Sequence, residues 1–152
     1  AVMARLDAVP ASGPTPPRGA PTAVGDVPLP LRKLIGDSFD AAPWRRIGPG
    51  IRHIRLPLSP SVKGDLRLLR VAPGRKVPDH GHGGAELTLV LKGAYDDVVG
   101  HFSRGDVADL DVDIEHQPVA SPGEECICLV AAEHKAKFKS IIGRIIQPLV
   151  GM

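Results

Sequence analysis

The sequence predicts an all-β fold, a sandwich or barrel of short strands, and three observations predict it. Short stretches in which apolar and polar residues alternate recur at close spacing from Trp44 to Ala131. Turn formers punctuate them: 17 Gly and 16 Pro in 152 residues leave room for many turns and few long helices. Aromatic residues are scarce, with one Trp, one Tyr and three Phe, so the core has to be built from Val, Leu, Ile and Ala. Hydrophobic residues make up 43% of the chain, enough for one domain with a core of its own.

Taken in order, residues 1–9 carry mild helical spacing (Val2, Leu6, Val9) and read as the remnant of an N-terminal helix too short to stand alone. Residues 10–30 hold Pro10, Pro14, Pro16, Pro17, Pro21, Pro28 and Pro30 and read as an extended, semi-rigid linker. Residues 31–152 are expected to form the folded domain. Within and just before it, Leu29 to Gly36 reads as a short helical or docking segment. Ile51 to Leu58 alternates loosely, and Asp65 to Val71 alternates cleanly up to the Pro73-Gly74 turn. Glu86 to Leu91 is the strongest strand and closes at Lys92-Gly93. Ala94 to His101 reads as the next strand, Ser103 to Asp106 as a turn, and Val107, Asp109, Asp111 and Asp113 alternate with apolar neighbours. Cys126 to Ala131 is a continuous apolar run. The tail differs: Phe138, Ile141, Ile142, Ile145, Ile146 and Leu149 follow helical spacing, and an amphipathic helix packed on its own barrel is expected there.

Composition narrows the function. A formal net charge of +2, with no basic run interleaved with aromatics, argues against direct binding to nucleic acid. No apolar stretch approaches the roughly 20 residues a membrane span needs, and no signal peptide is evident. Cys126 and Cys128 are too close in sequence to indicate a disulfide framework, so the cytoplasm is the expected compartment. Residue 1 is Ala, and the linker leads back to little, which points to a longer gene product.

The chemistry concentrates in Pro78-Asp79-His80-Gly81-His82-Gly83-Gly84-Ala85-Glu86. In extended chain His80, His82 and Glu86 share parity, so one face of one segment would carry three metal donors. The glycines leave room for the donors to converge. His116, in a polar stretch after a predicted strand, is the candidate fourth. Three imidazoles and a carboxylate suit Zn, Fe, Mn, Ni or Cu. Zinc would be satisfied by four protein ligands, whereas iron or manganese would keep positions open for substrate. Taken singly, each His reads more readily as an ordinary surface or turn residue than as a ligand, but three candidate ligands in register within seven residues favour a metal.

These residues resemble the cupin superfamily. Gly74, His80, His82, Glu86 and Gly93 fit its first motif at every position, while Gly105 and His116 keep the second motif only at its turn glycine and its ligand. The resemblance implies a double-stranded β-helix, the jelly-roll barrel, with the metal inside. More narrowly, the chain resembles the C-terminal part of ChrR-type anti-sigma factors. The carriers are Trp44-Arg45, Val77 to His82, Glu86 to Leu91 with Gly93-Ala94, Glu115-His116 with Pro118 to Ala120, Cys126 to Leu129, and Gln147-Pro148. That family restrains an extracytoplasmic-function (ECF) sigma factor and releases it under oxidative stress such as singlet oxygen. Its N-terminal zinc module grips the sigma factor, and its cupin domain, with a second zinc, is needed for the response. The likeness implies zinc on His80, His82, Glu86 and His116. It implies a sigma-factor partner held through an N-terminal module whose signature, a His followed by paired Cys, is absent before residue 80.

Cys126 and Cys128 share parity on one strand and read as two small core residues, or more sharply as a redox-sensitive pair. The competing reading of the whole is a small-molecule cupin enzyme, a metal-dependent dioxygenase or isomerase. Tyr95, Asp97 and His101 would be its polar candidates, though each is expected on a solvated face.

Overall fold

In a computed structural model the chain divides into two compact units, Ala1–Ala42 and Pro43–Met152. The structure describes residues 25–81, 83–110 and 115–134, and the backbone of 137–138. The described part of the first unit holds one helix, α1 (Leu29–Ile35). Pro28 precedes it and Pro30 lies in its first turn, where a missing N–H costs nothing. Asp26 Oδ1 accepts the Phe39 N–H at 2.9 Å, and Arg32 Nε donates to the Val27 carbonyl at 2.8 Å, which ties the two ends of this segment together.

The second unit is antiparallel β-structure. Its strands are β1 (Arg45–Gly48), β2 (Ile51–Arg55), β3 (Asp65–Val71), β4 (His80–Gly81), β5 (Glu86–Lys92), β6 (Ala94–Asp97), β7 (Gly100–Ser103), β8 (Val107–Leu110), β9 (Val119–Ala120), β10 (Cys126–Ala132) and β11 (Lys137–Phe138). Six of them form one sheet in the order β1-β2-β3-β10-β5-β8. A second sheet is β7-β6-β9, and β4 pairs with β11. In the large sheet β10, late in the chain, lies between the earlier strands β3 and β5, the long-range antiparallel pairing a jelly roll requires.

Register explains the core. The cross-strand set Ile51, Val71 and Cys126 and the set Leu69, Cys128 and Val90 lie on one face, and Tyr95 and Ala120 from the smaller sheet join the same apolar cluster. Tyr95 stacks on Phe102 with ring centroids 5.1 Å apart. The core is aliphatic as expected, with one Tyr and two thiols set into it. On the other face, Glu125 takes two hydrogen bonds from Arg70 (2.7 and 2.9 Å) and one from Lys92 (3.1 Å), and the Arg70 guanidinium lies 5.7 Å from the Trp44 ring centre.

The strands expected at 65–71, 86–91 and 126–131 are present as β3, β5 and β10. Ala94 to His101 is not one strand. It breaks into the hairpin β6–β7, because Gly100 adopts φ +144° and Asp97 Oδ1 takes the Val98 N–H at 2.6 Å, turning the chain. Phe138, read as the start of a helix, has strand backbone paired with His80. The rest of that amphipathic tail, residues 139–152, lies outside the described residues, as do the 1–9 segment, linker residues 10–24 and residues 111–114.

Candidate metal centre

His80 is fixed first by its backbone. Its N–H donates to the His116 carbonyl at 3.2 Å, and the His116 N–H donates back to the His80 carbonyl at 3.1 Å. A pair that exchanges both bonds puts its two side chains on the same face at short range. The two imidazoles stand with centroids 4.4 Å apart and Nε2 atoms 3.1 Å apart. Glu86 enters from β5, where the pairing of Glu86 with Leu110 and Ala132 turns its side chain to the inner face with Thr88 and Val90. His80, Glu86 and His116 are all buried, and their donor atoms lie within 4.8 Å of one another.

This convergence differs from the expected one. Residues 80–86 are not one extended face. The chain bends at Gly83 and Gly84, so His80 and Glu86 lie on different strands, and the site closes across them rather than along a single segment. His116 is buried, not in a solvated stretch, because its backbone pairing with His80 draws it inward. His82 lies outside the described residues.

The tautomers follow from the outer hydrogen bonds. His80 Nδ1 sits 2.9 Å from the Pro78 carbonyl, which can only accept, so Nδ1 carries a proton. His116 Nδ1 sits 2.5 Å from Asp97 Oδ2, again an acceptor. The two Nε2 atoms are therefore the ones turned toward each other, and a cation between them would be held by both. Two nitrogens on one zinc at ~2.0–2.1 Å in tetrahedral geometry stand about 3.3 Å apart, close to the 3.1 Å observed. The donor set therefore fits a divalent ion.

Asp97 and Tyr95 are the residues that the sequence reading misplaced. Both were expected on a solvated face. The Asp97 side chain has 0% exposure, and Tyr95 is buried with its phenol pushed well above its usual range, first by burial and then by the neighbouring thiols and carboxylates. The available signal was the turn: Val98-Val99-Gly100 ends the strand early, so Asp97 shares the inward parity of Tyr95. His101 does lie on the exposed side, bonded to Asp96 Oδ1 at 2.7 Å and Ser103 Oγ at 3.1 Å.

A second polar group is buried on β2 and β3. Arg67 donates to Asp65 and approaches His53 Nδ1 at 3.5 Å, and Asp65 Oδ1 faces Arg55 Nε at 3.2 Å. Burial, then the Arg67 charge, holds His53 below its ordinary value. Cys126 and Cys128 sit in the core with their sulfurs 3.5 Å apart. Their shared hydrogen bond lowers Cys126; that bond and burial raise Cys128.

Comparison with known proteins places this architecture. A family model described as the ChrR cupin-like domain matches residues 34–136. The anti-sigma-E factor ChrR of Cereibacter sphaeroides is 40% identical over 147 residues, 97% of this chain, and this chain spans 66% of that protein. A crystal structure of Rhodobacter sphaeroides SigE in complex with the anti-sigma ChrR aligns with a TM-score of 0.66 at 34% identity, covering 86% of this chain and 74% of that one. An RmlC-like cupin protein from Ralstonia eutropha aligns at TM-score 0.58 and 16% identity, over 68% of this chain and 71% of its own, which supports the cupin fold alone. Among the described residues no helix is long and apolar enough to cross a membrane. By sequence over nearly its whole length and by the fold of its second unit, the chain belongs to the ChrR cupin-like family.

Proposed function

We propose that this chain is the zinc-binding cupin sensor domain of an anti-sigma factor that regulates an ECF sigma factor in response to oxidative stress such as singlet oxygen. The observation that carries the reading is the 40% identity over 147 residues to an anti-sigma-E factor. The convergence of His80, Glu86 and His116 supports a resident metal. His82 is the proposed fourth ligand, on the motif His80-Gly81-His82 with Glu86 four residues on. Zinc, when bound, supplies a redox-inert crosslink that four protein ligands satisfy.

The chain's own residues do the rest. His80 holds β4 to the segment at His116, and Glu86 belongs to the six-stranded sheet, so the donors join parts that share no strand. An oxidant that alters a donor or its neighbour loosens that joint, and the change reaches the sigma-binding part through the linker at 10–30. The grip on the sigma factor is assigned to the family's N-terminal module, in the cytoplasm, where sigma factors act.

Metal analysis of protein purified without added metal tests the site. One zinc per chain is expected, and stoichiometric iron with dioxygen reactivity would overturn the reading in favour of a cupin dioxygenase. In the full regulator, His80→Ala is expected to leave sigma restraint intact and abolish release, read by a sigma-dependent reporter with and without singlet oxygen. Loss of restraint itself would refute this division of labour.

A further inference from the structure

We infer that Asp97 is a positioning residue of the metal centre, a buried carboxylate that sets which nitrogen of His116 faces the ion and balances part of the ion's charge. The inference rests on the metal-site reading above. Three observations point the same way.

The first is the division of the carboxylate between two partners. Asp97 Oδ1 accepts the Val98 N–H at 2.6 Å, which fixes the group at the mouth of the β6–β7 turn. Oδ2 is thereby aimed at His116 Nδ1, at 2.5 Å. With Nδ1 held as a donor, Nε2 is the coordinating nitrogen, and Nε2 is the atom that faces His80. His80 is set the same way by the Pro78 carbonyl. Both rings are thus locked from behind, one by a neutral acceptor and one by a charged one.

The second is burial. The side chains of Asp97 and His116 are 0% and 3% exposed. A carboxylate so enclosed is costly without a counter-charge. A divalent cation on the far nitrogen of His116 supplies one.

The third is its neighbour, which serves as a built-in control. Asp96, one residue earlier on β6, faces the other way. Its side chain is 61% exposed and bonds to His101 and Ser121. Same strand, same chemistry, opposite face.

The test uses the whole chain in three forms: wild type, Asp97→Asn and Asp96→Asn. Zinc affinity is measured by competition with a chromophoric chelator, and cobalt-substituted protein reports the ligand field by its visible spectrum. Asp97→Asn is expected to bind zinc on the order of 10–100-fold more weakly and to shift the cobalt bands, while Asp96→Asn matches wild type. The metal-free melting temperature of Asp97→Asn is expected to stay near that of wild type. If it falls and metal affinity does not, the role is structural and the inference is overturned. In zinc-loaded wild type, long-range proton–nitrogen spectra of His116 are expected to show a protonated Nδ1, shifted downfield by its short bond, and a metal-bound Nε2. The opposite assignment overturns the inference even where the variant fails to fold. If wild type binds neither zinc nor cobalt, the metal-site reading itself falls, a result distinct from wild type binding and Asp97→Asn binding equally well.

Discussion

Single residues decide the chemistry through what lies behind them. His80 and His116 are ordinary imidazoles until Pro78 and Asp97 fix their Nδ1 protons and leave their Nε2 atoms 3.1 Å apart. The cysteines show the opposite case. Cys126 and Cys128 are small and buried in the apolar cluster, with their sulfurs 3.5 Å apart. Two Cα atoms two residues apart on a strand stand about 6.4–6.8 Å from each other, at the long end of what a disulfide spans. The redox proposal for this pair requires a hydroperoxide to take two electrons and two protons, leaving one S–S bond, an alcohol and water, with the strand pulled in. On that proposal, Cys126→Ser with Cys128→Ser abolishes the stress response at unchanged metal content; an intact response would leave the two as core residues only. His53 carries a pH prediction. Its folded value lies below the unfolded one, near 6.5. The unfolded chain therefore binds its proton first as pH falls. The stability that His53 contributes is complete above about pH 6.5 and is lost as pH drops toward the folded value. Urea unfolding of metal-free protein should show wild type losing more stability between pH 7.5 and 5.5 than His53→Asn. Equal losses would mean that the ring is not held neutral beside Arg67.

Elements are set by pairing and by turns. β4 has two residues and would not persist alone; it is held by His116 on one side and by β11 on the other. The turn glycines of the motif, Gly74 and Gly93, look equivalent in sequence and are not. Both have positive φ, +66° and +69°. A Cβ on Gly74 meets nothing within 4 Å, whereas one on Gly93 would lie 2.3 Å from the Glu125 carbonyl oxygen. Gly74→Ala is expected to cost only the left-handed backbone term, roughly 1–2 kcal/mol. Gly93→Ala should cost clearly more, since the β5–β6 turn must move away from β10. Thermal melts of the two variants check the order, and equal losses would refute it.

At the scale of the whole second unit, the candidate metal donors come from β4, from β5 and from the segment before β9. An ion that binds only the folded form adds about 4 kcal/mol at a free concentration a thousand times its dissociation constant. Chelation is therefore expected to lower the melting temperature by several degrees. Hydrogen exchange should locate the loss: the amides of His80 and His116 become labile, while the β3–β10–β5 centre stays protected. Uniform loosening across the sheet would mean that the metal holds the fold itself rather than one joint in it.

Much of this was legible in the chain. Period-two alternation marked β3, the Glu86 to Leu91 stretch closing at Lys92-Gly93 marked β5, and a continuous apolar run marked β10, because buried strands leave such traces in a sequence. The spacing of Gly74, His80, His82, Glu86 and Gly93, with His116, marked the candidate donors, and the fold brings three of them, His80, Glu86 and His116, together. How they meet is another matter. Parity along one segment implied a single extended face, but the bend at Gly83-Gly84 splits the donors between strands, and sequence spacing cannot say which strands adjoin. Asp97 and Tyr95 went to the wrong side because a polar residue near a turn reads as solvated until its partner is known. The partner, His116, is 19 residues away and meets Asp97 only when the sheets close. The sequence by itself determined the strand-forming segments and the residues able to bind a metal. Only the tertiary structure decided which imidazole nitrogens face each other and which carboxylate stands behind His116, since hydrogen bonds between distant segments exist only in three dimensions.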